Sequence, residues 1–152
     1  MAELKVDEKD FEILEALKKN AKLSVLQLSR KTRIPPTTIH NRIKKLKQHK
    51  VITNYTIKLD REKIGQDFCA VVFIYLDNSA LPPEFKKGGL AKHLFCFPQV
   101  DEVFEVAGTI DVIIKIYGKN IKEITEFIIN NVRELKGVTR TETVVLLSEK
   151  SK

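Results

Sequence analysis

The spacing of apolar residues changes at about residue 50, and this change restricts the fold more than any other feature of the chain. Before it, apolar residues recur every three or four positions, as at Ile39, Ile43 and Leu46, which is the repeat of an amphipathic helix. After it, residues 51–59 alternate with a period of two, the repeat of an extended strand. The sequence therefore predicts a helical first half and a second half that contains strands.

Three helices are predicted in the first half, over residues 7–19, 25–31 and 36–48. We expect the first to turn one apolar stripe inward and its charged residues, Asp10 among them, outward. The members of the stripe are Phe11, Ile13, Leu14 and Leu17.

The second and third helices are marked by their end signals. Ser24 with Gln27 three residues later forms a capping box, which predicts the start of the second helix. Pro35 discourages helix at the residue before it, whereas a proline at position 36 suits the first turn of the third helix. Two helices joined by a short turn make this region a helix-turn-helix candidate.

Basic residues are concentrated on this candidate unit. Eight basic residues and no acidic residue lie between positions 30 and 50: Arg30, Lys31, Arg33, Arg42, Lys44, Lys45, Lys47 and Lys50. Residues 1–65 hold 16 basic and 8 acidic residues, whereas residues 66–152 hold 11 and 12. A charged helix face is usually only solvated, but such a face usually mixes both signs. The single sign here favours a polyanion such as double-stranded DNA as the partner.

The polar face of the third helix carries the groups that base reading requires. Thr37 and Asn41 offer a hydroxyl and an amide to base edges, and lysines beside them can meet phosphates. The predicted DNA contacts are Ser24, Arg33, Pro36, Thr37, Thr38, His40, Asn41, Arg42, Lys44, Lys45 and Gln48.

The second half alternates strands and helices. Strands are predicted over 70–76, 100–106, 112–117 and 138–147, and helices over 90–97 and 121–135. Residues 77–89 hold two prolines and two glycines and are not expected to form one regular element. The order β-α-β-β-α-β is that of ferredoxin-like α+β folds. Since the helices cover one sheet face, a second copy of the chain could cover the other, so we expect a homodimer.

These elements suggest a helix-turn-helix domain over residues 1–52, a hinge strand and linker over 53–65, and an assembly and sensing domain over 66–152. No secretory signal or membrane span is evident, so we expect a cytoplasmic protein. Cys69 and Cys96 are expected to be free, buried thiols. No grouping of residues indicates a metal, a cofactor or a catalytic site.

Several segments taken in order resemble the Lrp/AsnC family of bacterial and archaeal transcription regulators, the feast/famine proteins. The segments are Asp7-x-x-Asp10-x-x-Ile13-Leu14, Ile34-Pro-Pro-Thr-Thr-Ile-x-x-Arg42-Ile43-x-x-Leu46, Val51-Ile52-x-x-Tyr55, Ala107-Gly108-Thr109-Ile110-Asp111 and Gly137-Val138-x-x-Thr141-x-Thr143.

The resemblance implies a sequence-specific regulator whose second domain, of the RAM/AsnC type, assembles dimers into tetramers or octamers and binds a small molecule, frequently an amino acid. The implied effector residues are Gly108, Thr109, Asp111, Thr139, Thr141 and Thr143. A carboxylate there could pair an α-amino group, and hydroxyls and glycine amides could bind an α-carboxylate. The chain departs from the family pattern at Pro35, Ala107 and Ile110.

Two other functions fit parts of the sequence. Siroheme decarboxylases share the two-domain layout but depend on histidines in the second domain, where this chain has only His93. An architectural protein would bind DNA with little sequence preference, and a uniform affinity across sequences would distinguish it from a regulator.

Overall fold

The computed structural model describes residues 5–149 and divides into two compact units. The first extends to Leu59 and the second begins at Asp60. The finer division into residues 1–52, 53–65 and 66–152 stays a prediction.

The first unit contains three helices, α1 (Glu8–Lys19), α2 (Val25–Thr32) and α3 (Pro36–Gln48). The predicted helix bounds are confirmed to within one residue. Their shared core contains Ile13, Leu28 and Ile39, which are fully buried. The capping box that starts α2 is present: Ser24 Oγ accepts from the Gln27 amide at 3.2 Å and Gln27 Oε1 accepts from the Ser24 amide at 2.8 Å.

The predicted orientation of α1 is wrong at its start. Phe11, expected inside, is 59% exposed, whereas Asp10, expected outside, is 6% exposed. The buried face is instead completed by Ile13, Ala16 and Leu17. The helix is turned in this way because the Asp10 carboxylate has a cationic partner on α3, described below.

The second unit is a four-stranded antiparallel sheet with helices on one face. The strands are β1 (Phe68–Leu76), β2 (Val100–Glu105), β3 (Val112–Gly118) and β4 (Val138–Leu146), in the order β2-β3-β1-β4. Helix α4 (Gly89–Phe95) follows β1, and helix α5 (Ile121–Phe127) follows β3. This order confirms the predicted ferredoxin-like arrangement. Its core lies between the sheet and the helices and includes Val72, Ile114, Leu94 and Val132, all 0% exposed.

The helix predicted over 121–135 is not uniform. α5 gives way after Phe127 to a π-helical segment, Ile128–Arg133. Ile124, Ile128 and Val132 are all buried and repeat every four residues, a spacing that drifts around an ordinary helix of 3.6 residues per turn. The wider π turn keeps all three side chains on the sheet.

The hinge strand predicted after α3 does not form a strand within the chain. Residues 53–60 have no regular structure, and Ile57 and Leu59 are 72% and 43% exposed. A strand requires hydrogen bonds to a neighbour, and no other segment of residues 5–149 runs beside this one in the sheet.

The segment between β1 and α4 is irregular, as predicted, but closely held. It contains a single turn of 3-10 helix, Pro83–Phe85. The Asp77 amide donates to the Gly137 carbonyl at 2.8 Å, which joins the start of the segment to the start of β4. At its end the backbone of Gly89 approaches Glu84 so closely that an added Cβ would lie 1.8 Å from the Glu84 carbonyl oxygen.

The substitution Gly89→Ala is therefore expected to lower the free energy of unfolding of the second unit by about 2 kcal/mol or more, because the backbone must move to admit a methyl group. Denaturant unfolding followed by circular dichroism measures the change. Gly65→Ala is the control: Gly65 has a φ of +71° but nothing within 4 Å of a Cβ. Because of backbone strain alone, Gly65→Ala should lower the free energy of unfolding by only about 1 kcal/mol. Equal losses in the two variants would contradict the role given to the Glu84 contact.

The two cysteines differ in their surroundings. Cys69 on β1 is buried, as expected, and burial raises the pKa of its thiol. Cys96 is exposed, so its predicted burial is wrong; it follows the end of α4 and lies outside the apolar cluster. Within residues 5–149 no helix is both long and apolar enough to cross a membrane.

Candidate nucleic-acid interface and effector site

The outer face of α3 presents the polar groups that the sequence predicted. Thr37, Asn41, Lys44 and Gln48 are exposed, whereas Ile39 on the opposite face is fully buried. His40 and Lys45, which flank this row, are exposed as well, and Thr38 is half-buried. Since α3 itself carries no acidic residue, its exposed face is uniformly neutral or basic.

The turn before α3 is held by its own hydrogen bonds. Ser29 Oγ donates to the Ile34 carbonyl at 2.6 Å. Arg33, exposed in the turn, ends α2 in the left-handed conformation with φ of 57°. Pro35 supplies no side-chain cap, so the first amides of α3, after Pro36, have no side-chain acceptor. Such amides at a helix start can donate to a phosphate oxygen.

Arg42, a predicted DNA contact, also binds two carboxylates, one on α1 and one on the residue before that helix. Its Nη1 donates to Asp7 Oδ1 at 2.7 Å and to Asp10 Oδ1 at 2.8 Å, which ties the middle of α3 to the start of α1. The hydrogen bond from Arg42 is the largest cause that lowers the pKa of Asp7. The Arg42 side chain is 25% exposed, and its contact with DNA stays a proposal. Asp7 and Asp10 are partners of Arg42 that the charge pattern alone missed, although both lie in the first family-like segment.

The predicted effector residues gather around one end of the sheet. Asp111 Oδ2 accepts from the Leu76 amide at 2.8 Å, and Thr139 Oγ1 donates to the Tyr75 carbonyl at 3.0 Å. Asp111 thus binds the last residue of β1, and Thr139 binds the residue before it. Thr141 accepts a hydrogen bond from Arg133 Nε at 2.8 Å.

The remaining predicted effector residues are less closely placed. Gly108 and Thr109 are exposed in the turn between β2 and β3, which leads directly to Asp111. Gly108 has a φ of +155° and open space beside it. Thr143 lies opposite Val72, farther along β4 from this end of the sheet.

Family models match both halves of the chain. Residues 6–53 match a winged helix-turn-helix DNA-binding domain, and residues 69–152 match the Lrp/AsnC ligand binding domain. The chain belongs to the Lrp/AsnC family. It is 40% identical, over 95% of its length and 94% of the relative's, to an uncharacterized HTH-type transcriptional regulator of Pyrococcus furiosus.

Solved structures of similar fold support this assignment to the Lrp/AsnC family. AsnC of Escherichia coli is 26% identical with a TM-score of 0.81, covering 98% of this chain and 97% of that chain. A transcriptional regulator of Neisseria meningitidis, solved as a complex with L-Met, has a TM-score of 0.86, covers 97% of this chain and 94% of that chain, and is 19% identical, so it shows the fold alone.

Membership of a family of transcription regulators argues against the enzyme alternative. The chain's one histidine in the second unit, His93, packs between the rings of Phe85 and Phe97, with centroid distances of 5.1 and 5.5 Å. His93 lies on α4 and is exposed, so these ring contacts lie at the surface of the second unit.

Proposed function

We propose that this chain is a sequence-specific transcriptional regulator that inserts α3 into the major groove of double-stranded DNA. The single observation that carries this proposal is the exposed, acid-free face of α3 in a helix-turn-helix unit. Thr37, Thr38, His40 and Asn41 are proposed to meet base edges. The other proposed contacts are chiefly to the DNA backbone: Ser24, Arg33, Pro36, Arg42, Lys44, Lys45 and Gln48.

A homodimer is part of the proposal. The sheet face away from the helices carries Phe104 and Val144, both 48% exposed, with Val71 and Phe73 half-buried between them in the strand order. A second copy of the chain would cover this face, and a dimer would present two α3 helices to a pseudo-palindromic site. Assembly beyond the dimer, to a tetramer or octamer, stays a prediction, as does the cytoplasmic location.

A small-molecule effector, an amino acid by class, is proposed to bind near the end of the sheet where Asp111, Thr139 and Thr141 meet β1. The match of this half to a ligand binding domain supports a ligand there. The proposed site also includes Gly108, Thr109 and Thr143, which the family resemblance implies.

The interface is tested with two substitutions on α3 that should behave differently. Asn41→Ala is expected to relax base preference. It should weaken the free energy of binding by about 1–3 kcal/mol at the selected site only. Lys44→Ala should weaken binding to all sequences about equally. It should also reduce the slope of the logarithm of the binding constant against the logarithm of the salt concentration, the salt slope, by about 1. Selection of bound DNA from random sequence, followed by titrations at several salt concentrations, measures both.

Lys18→Ala is the matched control, because Lys18 is an exposed lysine in the last turn of α1. It should leave the affinity and the salt slope unchanged. If both α3 variants bound like the unsubstituted chain, the assignment of α3 would be wrong. If all sequences bound with one affinity, the chain would be an architectural protein instead.

A further inference from the structure

The Arg61 side chain attaches the end of the linker segment, residues 53–60, to the sheet. Its Nη1 donates to Gln66 Oε1 at 2.6 Å, and its Nη2 forms an ion pair with Asp101 on β2. Its Cζ lies 4.2 Å from the centroid of the Tyr117 ring on β3, which is within the range of a cation–π contact. One guanidinium thus contacts β2, β3 and the chain just before β1. We call these three contacts the Arg61 anchor.

The partners of Arg61 are themselves fixed. Tyr117 is only 6% exposed, and its Oη donates to Glu149 Oε2 at 2.5 Å. Asp101 is the extra residue of a β-bulge, since two steps along β2 at this point correspond to one step along β3. A bulge redirects a side chain and commonly lies beside a functional position. The guanidinium therefore binds a surface whose groups are already in place.

The backbone after Arg61 keeps its side chain at this position. The Arg61 carbonyl accepts from the amides of Ile64 and Gln66, at 3.2 and 2.9 Å, which closes a turn around the single 3-10 helix Glu62–Ile64. Residues 53–60, on the other side of Arg61, have no regular structure. The chain therefore changes at Arg61 from a segment without regular structure to one that is held on the sheet.

The position of this change matters for a homodimer on DNA. Each α3 is joined to its own sheet through the linker segment, whose eight residues span at most about 28 Å. Half-sites one helical turn apart are separated by about 34–36 Å, a distance of similar size. Without the anchor, residues 61–66 would add about 20 Å to the extended length of the linker. The reach of each helical unit therefore depends on the Arg61 contacts.

We propose that Arg61 is a positioning residue for DNA binding, because the Arg61 anchor limits the half-site spacings that a homodimer can bind. This role rests on the proposed function and deepens it. The anchor acts through the linker and not by touching DNA, since it fixes the point at which each linker leaves its sheet. Loss of the anchor should leave binding to one half-site unchanged and relax the choice among spacings.

Titration of the full chain with three DNAs tests this role. The first is the selected site, and the third is a single half-site. The second has its half-sites moved apart by half a helical turn, about 5 bp, which turns one half-site to the opposite face of the duplex. The unsubstituted chain should bind this spaced site at least about tenfold more weakly than the selected site, because it loses the second of two linked contacts.

Variants assign the spacing preference to the Arg61 anchor. Arg61→Ala should reduce the tenfold difference to about threefold or less, with the affinity for the single half-site unchanged. Asp101→Asn should act in the same direction, and the double variant should be no more relaxed than Arg61→Ala, because both substitutions remove one shared contact. Lys63→Ala is the matched control, since it removes a positive charge from the same turn and the Lys63 side chain is 82% exposed. It should leave the difference between the two sites unchanged.

Circular dichroism and sedimentation verify that each variant is folded and assembles like the unsubstituted chain. If Arg61→Ala does not, Arg61→Lys takes its place, because it keeps the charge and loses the planar guanidinium. Arg61→Lys should relax the spacing preference in part. Loss of assembly in these two variants and in Asp101→Asn would overturn the proposal, since the contacts would then serve assembly and not spacing.

An unchanged spacing difference in Arg61→Ala would also overturn the role of Arg61, as would an equal change in Lys63→Ala. The proposed function is tested separately by Asn41→Ala. If Asn41→Ala relaxes base preference while Arg61→Ala keeps the spacing difference, the regulator stands and the role of the anchor fails. If the unsubstituted chain itself binds both spacings equally, the pseudo-palindromic site of the proposed function fails, and the role of the anchor fails with it.

Discussion

Replacement of Ile39 by alanine is expected to unfold the helical unit and abolish DNA binding while leaving the sheet intact. Ile39 is fully buried on the inner face of α3, where it packs against α1 and α2. Truncation of a buried isoleucine costs about 2–5 kcal/mol. A unit of this size has little stability to lose, because small domains bury a smaller fraction of their surface.

Fluorescence anisotropy with labelled DNA measures the loss of binding, and proteolysis shows which half of the chain becomes accessible. Cleavage should be confined to residues before the linker. Leu26→Ala is the control, since Leu26 lies on α2 but is 62% exposed. It should change the free energy of unfolding little. Simultaneous unfolding of both halves in Ile39→Ala would contradict the division of the chain into two independent units.

The substitution Arg42→Leu is expected to lower the free energy of unfolding of the helical unit by about 2–3 kcal/mol. The Arg42 side chain bridges the carboxylates of Asp7 and Asp10, and the Asp10 side chain is only 8% exposed. Removal of one partner leaves the other charge buried and unpaired, which costs about 3–5 kcal/mol for a fully buried pair and less here, where Arg42 is 25% exposed. Arg42→Lys should restore part of the loss, because it keeps the charge but not the planar guanidinium.

The ion pair of Arg42 with Asp7 predicts how the free energy of unfolding depends on pH. The pKa of Asp7 is lowered in the folded chain by Arg42. Its contribution is therefore fully present above the ordinary pKa of an aspartate, about 4, and is lost as the pH falls through the lower folded pKa. Urea unfolding between neutral and acidic pH should show the difference between the unsubstituted chain and Arg42→Leu narrowing below about pH 4. A difference that stayed constant across this range would exclude the ion pair as its source.

Local signals in the sequence located most of the elements. The helix bounds follow from signals that act over only a few residues. These are the capping box at Ser24, the two prolines at the start of α3 and the apolar repeat of Ile39, Ile43 and Leu46. The strand order could be predicted for a related reason, because the order of strands and helices in the second half permits few arrangements of the sheet.

What the sequence could not supply depends on residues far apart in the chain. Asp10 was placed outside because its neighbours in α1 are charged, but its position is decided by Arg42, 32 residues away. The count of basic residues treated Arg42 like Lys44, although only the lysine is exposed. The irregular segment is joined to the start of β4 by the Asp77 amide and the Gly137 carbonyl, and no spacing within either segment indicates the other.

The linker segment, residues 53–60, bears on the proposed homodimer. Residues 53–60 keep an alternating apolar pattern and exposed side chains such as Ile57, and their backbone has no neighbour in the sheet. An uncovered edge of this kind is a template for pairing with another chain and a hazard for aggregation. In the proposed homodimer, pairing of this segment with the second copy would also protect it from other chains. Dissociation of the proposed homodimer would expose Ile57 and the alternating apolar side chains of this segment, so the same contact would serve both assembly and solubility.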